Sequence, residues 1–180
     1  MIDSQLLPVT DEKITLRALQ PQDAPRFAEG TRDGLVREFG HLPEPVYTVE
    51  SVERLAQTVA VSGFKDGSLA LLSIVDPDDR FLGSLVVFDI TDFSAEVGFW
   101  LHPDARGYSH ARGALDLASE WAEMCGLKEL RARTAPENEA SQRNLERSGF
   151  ALIGRDVDRA PSQVEVEVLH YRRPLVAEHS

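Results

Sequence analysis

Apolar residues recur along this chain with two different spacings, which divide it into strands and helices. Alternation and short apolar runs predict strands over 14–19, 68–75, 80–90, 95–101, 127–134, 150–157 and 164–171. Recurrence every three and four positions predicts helices that begin near Pro21, Thr48, Ala111 and Asn138. The order is strand, two helices, three strands, helix, strand, helix and two strands. It predicts an α+β fold whose three central strands form an antiparallel meander.

Glycines and prolines mark the predicted boundaries. The second helix is expected to end at Gly63, the third at Gly126 and the fourth at Gly149. Between residues 31 and 48 two glycines and two prolines interrupt the pattern, so we expect this segment to be irregular. A long irregular segment inside a compact domain is often functional.

Composition bounds the class of protein. A chain of 180 residues with 42% hydrophobic and 27% charged residues fits one domain over 1–180, with a core over about 14–173. No apolar run approaches the roughly 20 residues that span a bilayer, so no membrane partner is expected. The start of the chain lacks the basic and apolar regions of a signal peptide. Cys125 is the only cysteine, which excludes an internal disulfide and a metal site built on cysteines, and we expect a cytoplasmic protein.

The formal net charge of −11 changes which partners are plausible. It argues against nucleic acid, because such affinity comes largely from basic side chains that meet phosphates. It is compatible with a cationic partner such as an amine, and equally with acidity that serves only solubility.

The segment after the 95–101 strand carries the first candidate chemistry. Pro103 ends the strand, Arg106 and Gly107 open a turn, and a helical pattern begins at Ala111. The first N–H groups of a helix have no partner within the helix, and the helix dipole favours negative charge there. The sequence therefore predicts an anion site in this loop.

This loop resembles the acyl-CoA-binding motif of the GNAT N-acetyltransferases, Gln/Arg-x-x-Gly-x-Gly/Ala. Arg106 fits the first position and Ala111 the last, whereas Ser109 stands where the family usually has glycine. The preceding Glu-x-Gly-x-Trp-x-x-Pro pattern, from Glu96 to Pro103, is similar to the RimJ/RimL branch. The resemblance implies the GNAT fold, a mostly antiparallel mixed sheet of about seven strands flanked by about four helices.

A second segment, 138–150, resembles the Asn-x-x-Ser…Gly-Phe signature of the same family. Asn138 suits a helix N-cap and Ser141 follows one turn later, so a capping arrangement without chemistry is the alternative for this segment taken alone. In the family, Asn138 would contact the pantetheine arm, and Ser141 would lie near the thiol.

The resemblance implies that acetyl-CoA is the cosubstrate, that no metal is needed and that a homodimer is possible. The residues it places on CoA are Phe99, Trp100, Leu101, Arg106, Gly107, Tyr108, Ser109, His110, Ala111, Asn138, Ser141 and Asn144. The acceptor pocket would be formed partly by the irregular segment, whose candidates are Asp33, Arg37, Glu38, Phe39, His41 and Tyr47.

The chemistry of transfer selects the catalytic candidates. An amine with a pKa of ~10 must lose a proton before it attacks, and a carboxylate can take that proton. Glu96 is the predicted base, and Ser141 is the predicted proton donor to the leaving thiolate, with Tyr171 or Tyr108 behind it. The expected function is acetyl transfer to a primary amine, a protein N-terminus or a small amine, by direct attack in a ternary complex. The alternative is an inactive acyl-CoA-binding sensor or interaction module of the same fold.

Overall fold

The computed structural model describes residues 2–40, 42–159 and 165–175, which form one mixed sheet packed with helices. The order of the eight strands across the sheet is β1-β2-β3-β4-β5-β6-β8-β7. Every neighbouring pair is antiparallel except β5 and β6, which are parallel. The strands are β1 Val9–Thr10, β2 Thr15–Ala18, β3 Ala70–Val75, β4 Phe81–Phe88, β5 Ser94–Leu101, β6 Glu129–Thr134, β7 Ala151–Arg159 and β8 Glu165–Pro174.

Six α-helices lie within the described residues. They are α1 Ala24–Gly30, α2 Gly34–Phe39, α3 Val49–Gln57, α4 Val59–Asp66, α5 His110–Met124 and α6 Glu139–Arg147. The larger hydrophobic cluster joins the sheet to α5 and α6, with Trp121 and Leu145 fully buried. A smaller cluster joins α1, α2 and α3 to Trp100. The rings of Trp100 and Phe27 pack edge to face, with their centroids 5.1 Å apart.

The predicted fold class is confirmed, with one short strand and two helices more than the expected numbers. The irregular segment predicted over 31–48 contains α2, and this prediction was wrong. Asp33 begins the helix because its carboxylate accepts the N–H groups of Leu35 and Val36, and the prolines come only after Phe39.

The prediction of one helix from Thr48 to Gly63 was also wrong. It breaks at Thr58 into α3 and α4, and α4 continues to Asp66, with Gly67 in the left-handed region as its cap. Gly63 serves packing instead, since a Cβ there would lie 2.6 Å from the Leu69 carbonyl oxygen. The caps at Gly126 and Gly149 are confirmed by φ values of +88° and +76°.

Strands β5 and β6 separate partway along their length. Their parallel register runs only from Ser94 opposite Glu129 to Glu96 opposite Arg131. Strand β5 continues against β4 as far as Leu101, and β6 continues against β8 as far as Thr134. Within the described residues, the edge of β5 from Val97 onward therefore has no strand partner on its β6 side.

None of the helices in the described ranges is long and apolar enough to cross a membrane.

Candidate active site

A cleft of about 530 Å³ opens where β5 and β6 separate. Four elements form it: the end of β5, the loop before α5, the first part of α6, and α2. Its lining residues are Leu35, Val36, Phe39, Gly40, Phe99, Trp100, Leu101, Arg106, Gly107, Ser109, His110, Ala111, Glu137, Asn138, Glu139, Ala140, Ser141, Arg143, Asn144 and Arg147. The structure thus brings together both segments singled out in the sequence, 106–111 and 138–144, although they are distant in the chain.

The loop before α5 presents backbone donors to the cleft. Gly107 and Ser109 adopt φ of +84° and +64°, which bends the chain tightly into the helix. Within the described part of the chain, the N–H groups of residues 107–111 have no hydrogen-bond acceptor. These donors and the N-terminal end of the 15-residue α5 make the electrostatic environment of the loop favourable for an anion, although the protein as a whole is acidic.

Ser109 departs from the family's glycine at a position where the backbone is left-handed. A residue with a side chain adopts that conformation at a free-energy cost of roughly 1–2 kcal/mol, whereas glycine adopts it readily. Ser109 is also the N-cap of α5, yet its hydroxyl makes no capping hydrogen bond. The loop keeps the shape that glycine favours despite the serine.

His110 and Tyr108 stabilise the outer side of this loop. The Nδ1–H of His110 donates to the carbonyl oxygen of Ala105 at 3.0 Å, and the imidazole stacks on Tyr108 with ring centroids 5.6 Å apart. His110 lines the cleft, but Tyr108 does not and is 65% exposed.

Helix α6 begins at the cleft with the predicted cap. The Asn138 carboxamide oxygen accepts the Ser141 N–H at 3.1 Å, which fixes the first turn. Ser141 lines the cleft, and its hydroxyl makes no hydrogen bond with the residues described, so the hydroxyl can donate to a ligand. Asn144 lies one turn further along the same helix and also lines the cleft.

Arg106 connects the loop to α2. Its Nη2 donates to Asp33 Oδ1 at 2.5 Å and to the Leu101 carbonyl oxygen at 3.3 Å. The Arg106 guanidinium lowers the pKa of the Asp33 carboxyl below its ordinary value, and the N–H groups at the start of α2 lower it further.

The turn that precedes the loop is held by a charged cluster that the sequence did not reveal. The Asp104 carboxylate accepts from Arg26 at 2.7 Å, from Arg80 at 2.6 Å and from His102 Nδ1 at 2.8 Å. His102 is 5% exposed, and its Nε2 lies 3.5 Å from a Glu29 carboxylate oxygen. This cluster fixes the 3-10 turn Pro103–Ala105 against α1 and β4.

Glu96, the predicted base, lies at the closed end of the separation rather than among the lining residues. Its Oε1 accepts from Arg133 Nε at 2.7 Å, and its side chain is 15% exposed. It shares a sheet face with Gly98 and Trp100, the face that packs toward α1 and α3. The carboxylate is therefore held by Arg133 outside the cleft lining.

The structure separates the other donor and acceptor candidates. Phe39 lines the cleft, whereas Glu38 is exposed on α2 outside it. Tyr47 is buried against Phe27, and its burial raises its pKa. Tyr171 is also buried, with a raised pKa, and its hydroxyl donates to Glu146 Oε1 at 3.4 Å. His41 lies outside the described residues.

Sequence reasoning missed the contribution of α2 and of the flanks of α6. The unforeseen lining residues are Leu35, Val36, Gly40, Glu137, Glu139, Ala140, Arg143 and Arg147. Asp33 followed by apolar residues at 35, 36 and 39 was a usable signal for a short capped helix. Among the residues described, no group of three or more His, Cys, Asp or Glu could hold a metal ion.

The domain model of the acetyltransferase (GNAT) family matches residues 13–151. The chain belongs to the GNAT acetyltransferase family. The family predicted from the two motifs is therefore confirmed, and both motifs meet in the cleft. The comparison with curated proteins found no match to this sequence.

Solved structures of acetyltransferases share the fold of this chain, and they include proteins named RimJ and ribosomal-protein acetyltransferase. RimJ from Mycobacterium smegmatis, solved with CoA-disulfide, is 19% identical with a TM-score of 0.84, over 97% of this chain and 90% of that chain. Ribosomal-protein-S5-alanine acetyltransferase from Vibrio fischeri is 18% identical with a TM-score of 0.81, and the match covers 97% of this chain and 100% of that chain. Spermidine N-acetyltransferase from Vibrio cholerae, solved with CoA and spermine, is 18% identical with a TM-score of 0.75, and the match covers 92% of this chain and 97% of that chain.

Proposed function

We propose that this GNAT protein transfers the acetyl group of acetyl-CoA to a primary amine by direct attack in a ternary complex. The observation that carries the proposal is that one cleft brings together the 107–111 loop and the edge of β5. Among the described residues, the backbone N–H groups of that loop have no acceptor, and that edge has no strand partner beyond Glu96. An anion site alone would fit many ligands. An anion site followed by an open strand edge suits a long ligand with phosphate at one end and amide groups at the other.

Acetyl-CoA supplies an activated acetyl thioester, and the residues of this chain supply its binding. The N–H groups of residues 107–111 would hold the pyrophosphate, since they lie at the positive end of α5 and have no acceptor among the described residues. The backbone of Phe99 to Leu101 would pair with the pantetheine amides as a neighbouring strand would. Asn138 would contact the same arm from α6.

The transfer needs three groups at the reacting atoms. The amine nitrogen bonds to the acetyl carbon, the carbon–sulfur bond breaks, and the electron pair leaves with sulfur. A backbone N–H near the end of β5 would polarise the thioester carbonyl. The Ser141 hydroxyl would donate to the departing sulfur, and Glu96 would take the amine proton through water.

The acceptor would enter beside α2, whose Leu35, Val36 and Phe39 line the cleft together with Trp100. This wall is mainly apolar, which suits a neutral amine on an organic group better than a compact ammonium ion. The fold neighbours include enzymes named for a ribosomal-protein N-terminal alanine and for spermidine. We propose the same two classes of acceptor for this protein, a protein N-terminus or a small amine.

A thiol-release assay over a panel of peptides with free N-termini and of small amines tests the proposal. We expect release of CoA with one acceptor class, and a product heavier by one acetyl group on its amine nitrogen. Thiol release without an acetylated product, or an unchanged acceptor across the whole panel, would contradict amine transfer.

A second candidate is an acyl-CoA sensor without catalysis, which the position of Glu96 favours. Its carboxylate is bound to Arg133 outside the cleft lining, so no predicted base touches the acceptor path directly. A sensor would bind acetyl-CoA, release no thiol, and be unaffected in ligand affinity by Glu96→Gln.

A further inference from the structure

We propose that Arg106 and Asp33 form a positioning pair that holds α2 against the loop before α5, so that Arg106 shapes the acceptor wall rather than binding phosphate. Arg106 occupies the first position of the CoA motif, where a cation beside the phosphate site would be the simple expectation. The inference rests on the proposed function for its catalytic readout.

The guanidinium of Arg106 is already engaged by two protein acceptors. One is Asp33 Oδ1 at the start of α2, and the other is the carbonyl oxygen of Leu101 at the end of β5. The Arg106 and Asp33 side chains are 34% and 21% exposed, so the ion pair is partly buried. One cation therefore joins the loop, the end of the central strand and the start of α2.

The Asp33 oxygen that meets Arg106 also begins α2. Oδ1 accepts the N–H groups of Leu35 and Val36, each at 3.1 Å, in addition to Arg106. A helix of six residues has little stability of its own, so its position depends on such anchors. Loss of the charge pair would leave the helix capped but no longer tied to the loop.

Helix α2 in turn supplies the apolar wall on the acceptor side. Val36 is 3% exposed within the smaller core, while Leu35 and Phe39 face the cleft. A small shift of α2 would change the space opposite Trp100 and leave the backbone donors at 107–111 in place. The pair should therefore govern acceptor affinity more than acetyl-CoA affinity.

A double-mutant cycle separates this role from phosphate binding. Asp33→Asn keeps a side chain that caps a helix as well as aspartate does, but removes the charge. Arg106→Gln removes the other charge. Arg155→Gln is the matched control, because it breaks an exposed ion pair with Glu167 between β7 and β8. The readouts are the acceptor KM, the acetyl-CoA Kd by titration, and amide hydrogen exchange of residues 34–39 in the free protein.

We expect each single variant to raise the acceptor KM by about fivefold, and the double variant to raise it no further, because coupled residues are not additive. The acetyl-CoA Kd of each variant should stay within about twofold of that of the unmodified protein. Amide hydrogen exchange of residues 34–39 should become faster by the same factor in both single variants. Arg155→Gln should change none of these.

The opposite pattern would overturn the inference. If Arg106 binds phosphate, Arg106→Gln should weaken the affinity for acetyl-CoA by about tenfold or more. Asp33→Asn should then leave that affinity unchanged or increase it, because the arginine is released from its carboxylate partner. Unchanged exchange over 34–39 in both variants would also overturn it. If the unmodified protein fails to bind acetyl-CoA, the proposed function fails, and the exchange measurement still decides whether the pair holds α2.

Discussion

Glu96 on β5 lies opposite Arg131 on β6 in the last register of the only parallel pair of strands among the described residues. Beyond this pair the two strands separate, and β5 runs on to Leu101 with one edge open. Sheet edges with free N–H and C=O groups bind extended ligands readily. The site follows from this separation, because α5 and α6 begin at its mouth and direct their N-termini into one cleft.

The left-handed backbone at Ser109 gives a stability prediction. Ser109→Gly should raise the free energy of unfolding by about 0.5–1 kcal/mol, because the gain at positive φ exceeds the entropy that glycine adds to the unfolded chain. Ser62→Gly, the same change inside α4, should lower it by about 0.5–1 kcal/mol. Denaturant unfolding of both variants checks the prediction. Destabilisation by Ser109→Gly comparable to that by Ser62→Gly would contradict it.

Ser141 is predicted to act on the leaving sulfur and not on folding or ligand affinity. Ser141→Ala keeps the backbone N–H that Asn138 accepts, so α6 should stay capped. We expect kcat to fall by at least about tenfold, with the acetyl-CoA Kd within about threefold. Gln142→Ala, on the same helix but outside the cleft lining, should leave kcat unchanged. An equal loss of kcat in both variants would assign the effect to α6 as a whole.

Glu96 is predicted to accept the amine proton. Glu96→Gln keeps an oxygen for Arg133 but cannot take a proton. The value of kcat/KM at neutral pH should fall by about a hundredfold, because glutamine cannot remove the amine proton. Glu167→Gln, an exposed partner of Arg155, serves as the control. A kcat/KM of Glu96→Gln equal to that of the unmodified protein would leave Glu96 with a structural role only.

Gly30 and Gly34 provide a matched pair at the two ends of the segment that joins α1 to α2. A Cβ at Gly30 would lie 2.7 Å from Trp100 Cζ3 and 3.0 Å from His102 Cδ2, whereas a Cβ at Gly34 would have nothing within 4 Å. Gly30→Ala should cost about 1–3 kcal/mol of stability, and Gly34→Ala should be neutral or slightly stabilising. Thermal unfolding distinguishes them, and similar shifts in Tm would contradict this packing.

The Asp33 carboxyl has a depressed pKa in the folded protein, which fixes the sign of its pH dependence. A depressed folded pKa contributes stability that is present above the unfolded pKa and is lost as pH falls through the folded value. The difference in unfolding free energy between the unmodified protein and Asp33→Asn should therefore be constant near neutral pH and shrink as pH falls below about 4. Urea unfolding from pH 7 to pH 2 measures it, and a difference that grows in acid would contradict the assignment.

The sequence predicted the parts of the site that depend on local signals. Asn138 and Gly149 were read as the two caps of α6, and Gly126 as the cap of α5, because such residues act on neighbouring N–H and C=O groups. The predicted helix start at Ala111 was one residue from the observed start at His110. Local chemistry was enough for these positions.

The remaining features depend on pairings between distant segments. The bond from Arg133 to Glu96 follows from the register of β5 with β6, which no spacing along the chain reveals. The link from Arg106 to Asp33 spans 73 residues for the same reason. The left-handed φ of Ser109 was also hidden, because serine carries no local preference for that conformation.

We propose that this cleft binds acetyl-CoA through both its loop and its open strand edge. Isothermal titration of the protein with acetyl-CoA, beside S-acetylpantetheine as the ligand without pyrophosphate, tests it most directly. We predict saturable binding of acetyl-CoA at one site per chain, and binding of S-acetylpantetheine weaker by at least about tenfold because the loop donors lose their partner. Absence of saturable heat with acetyl-CoA, or equal affinity for the two ligands, would contradict the claim.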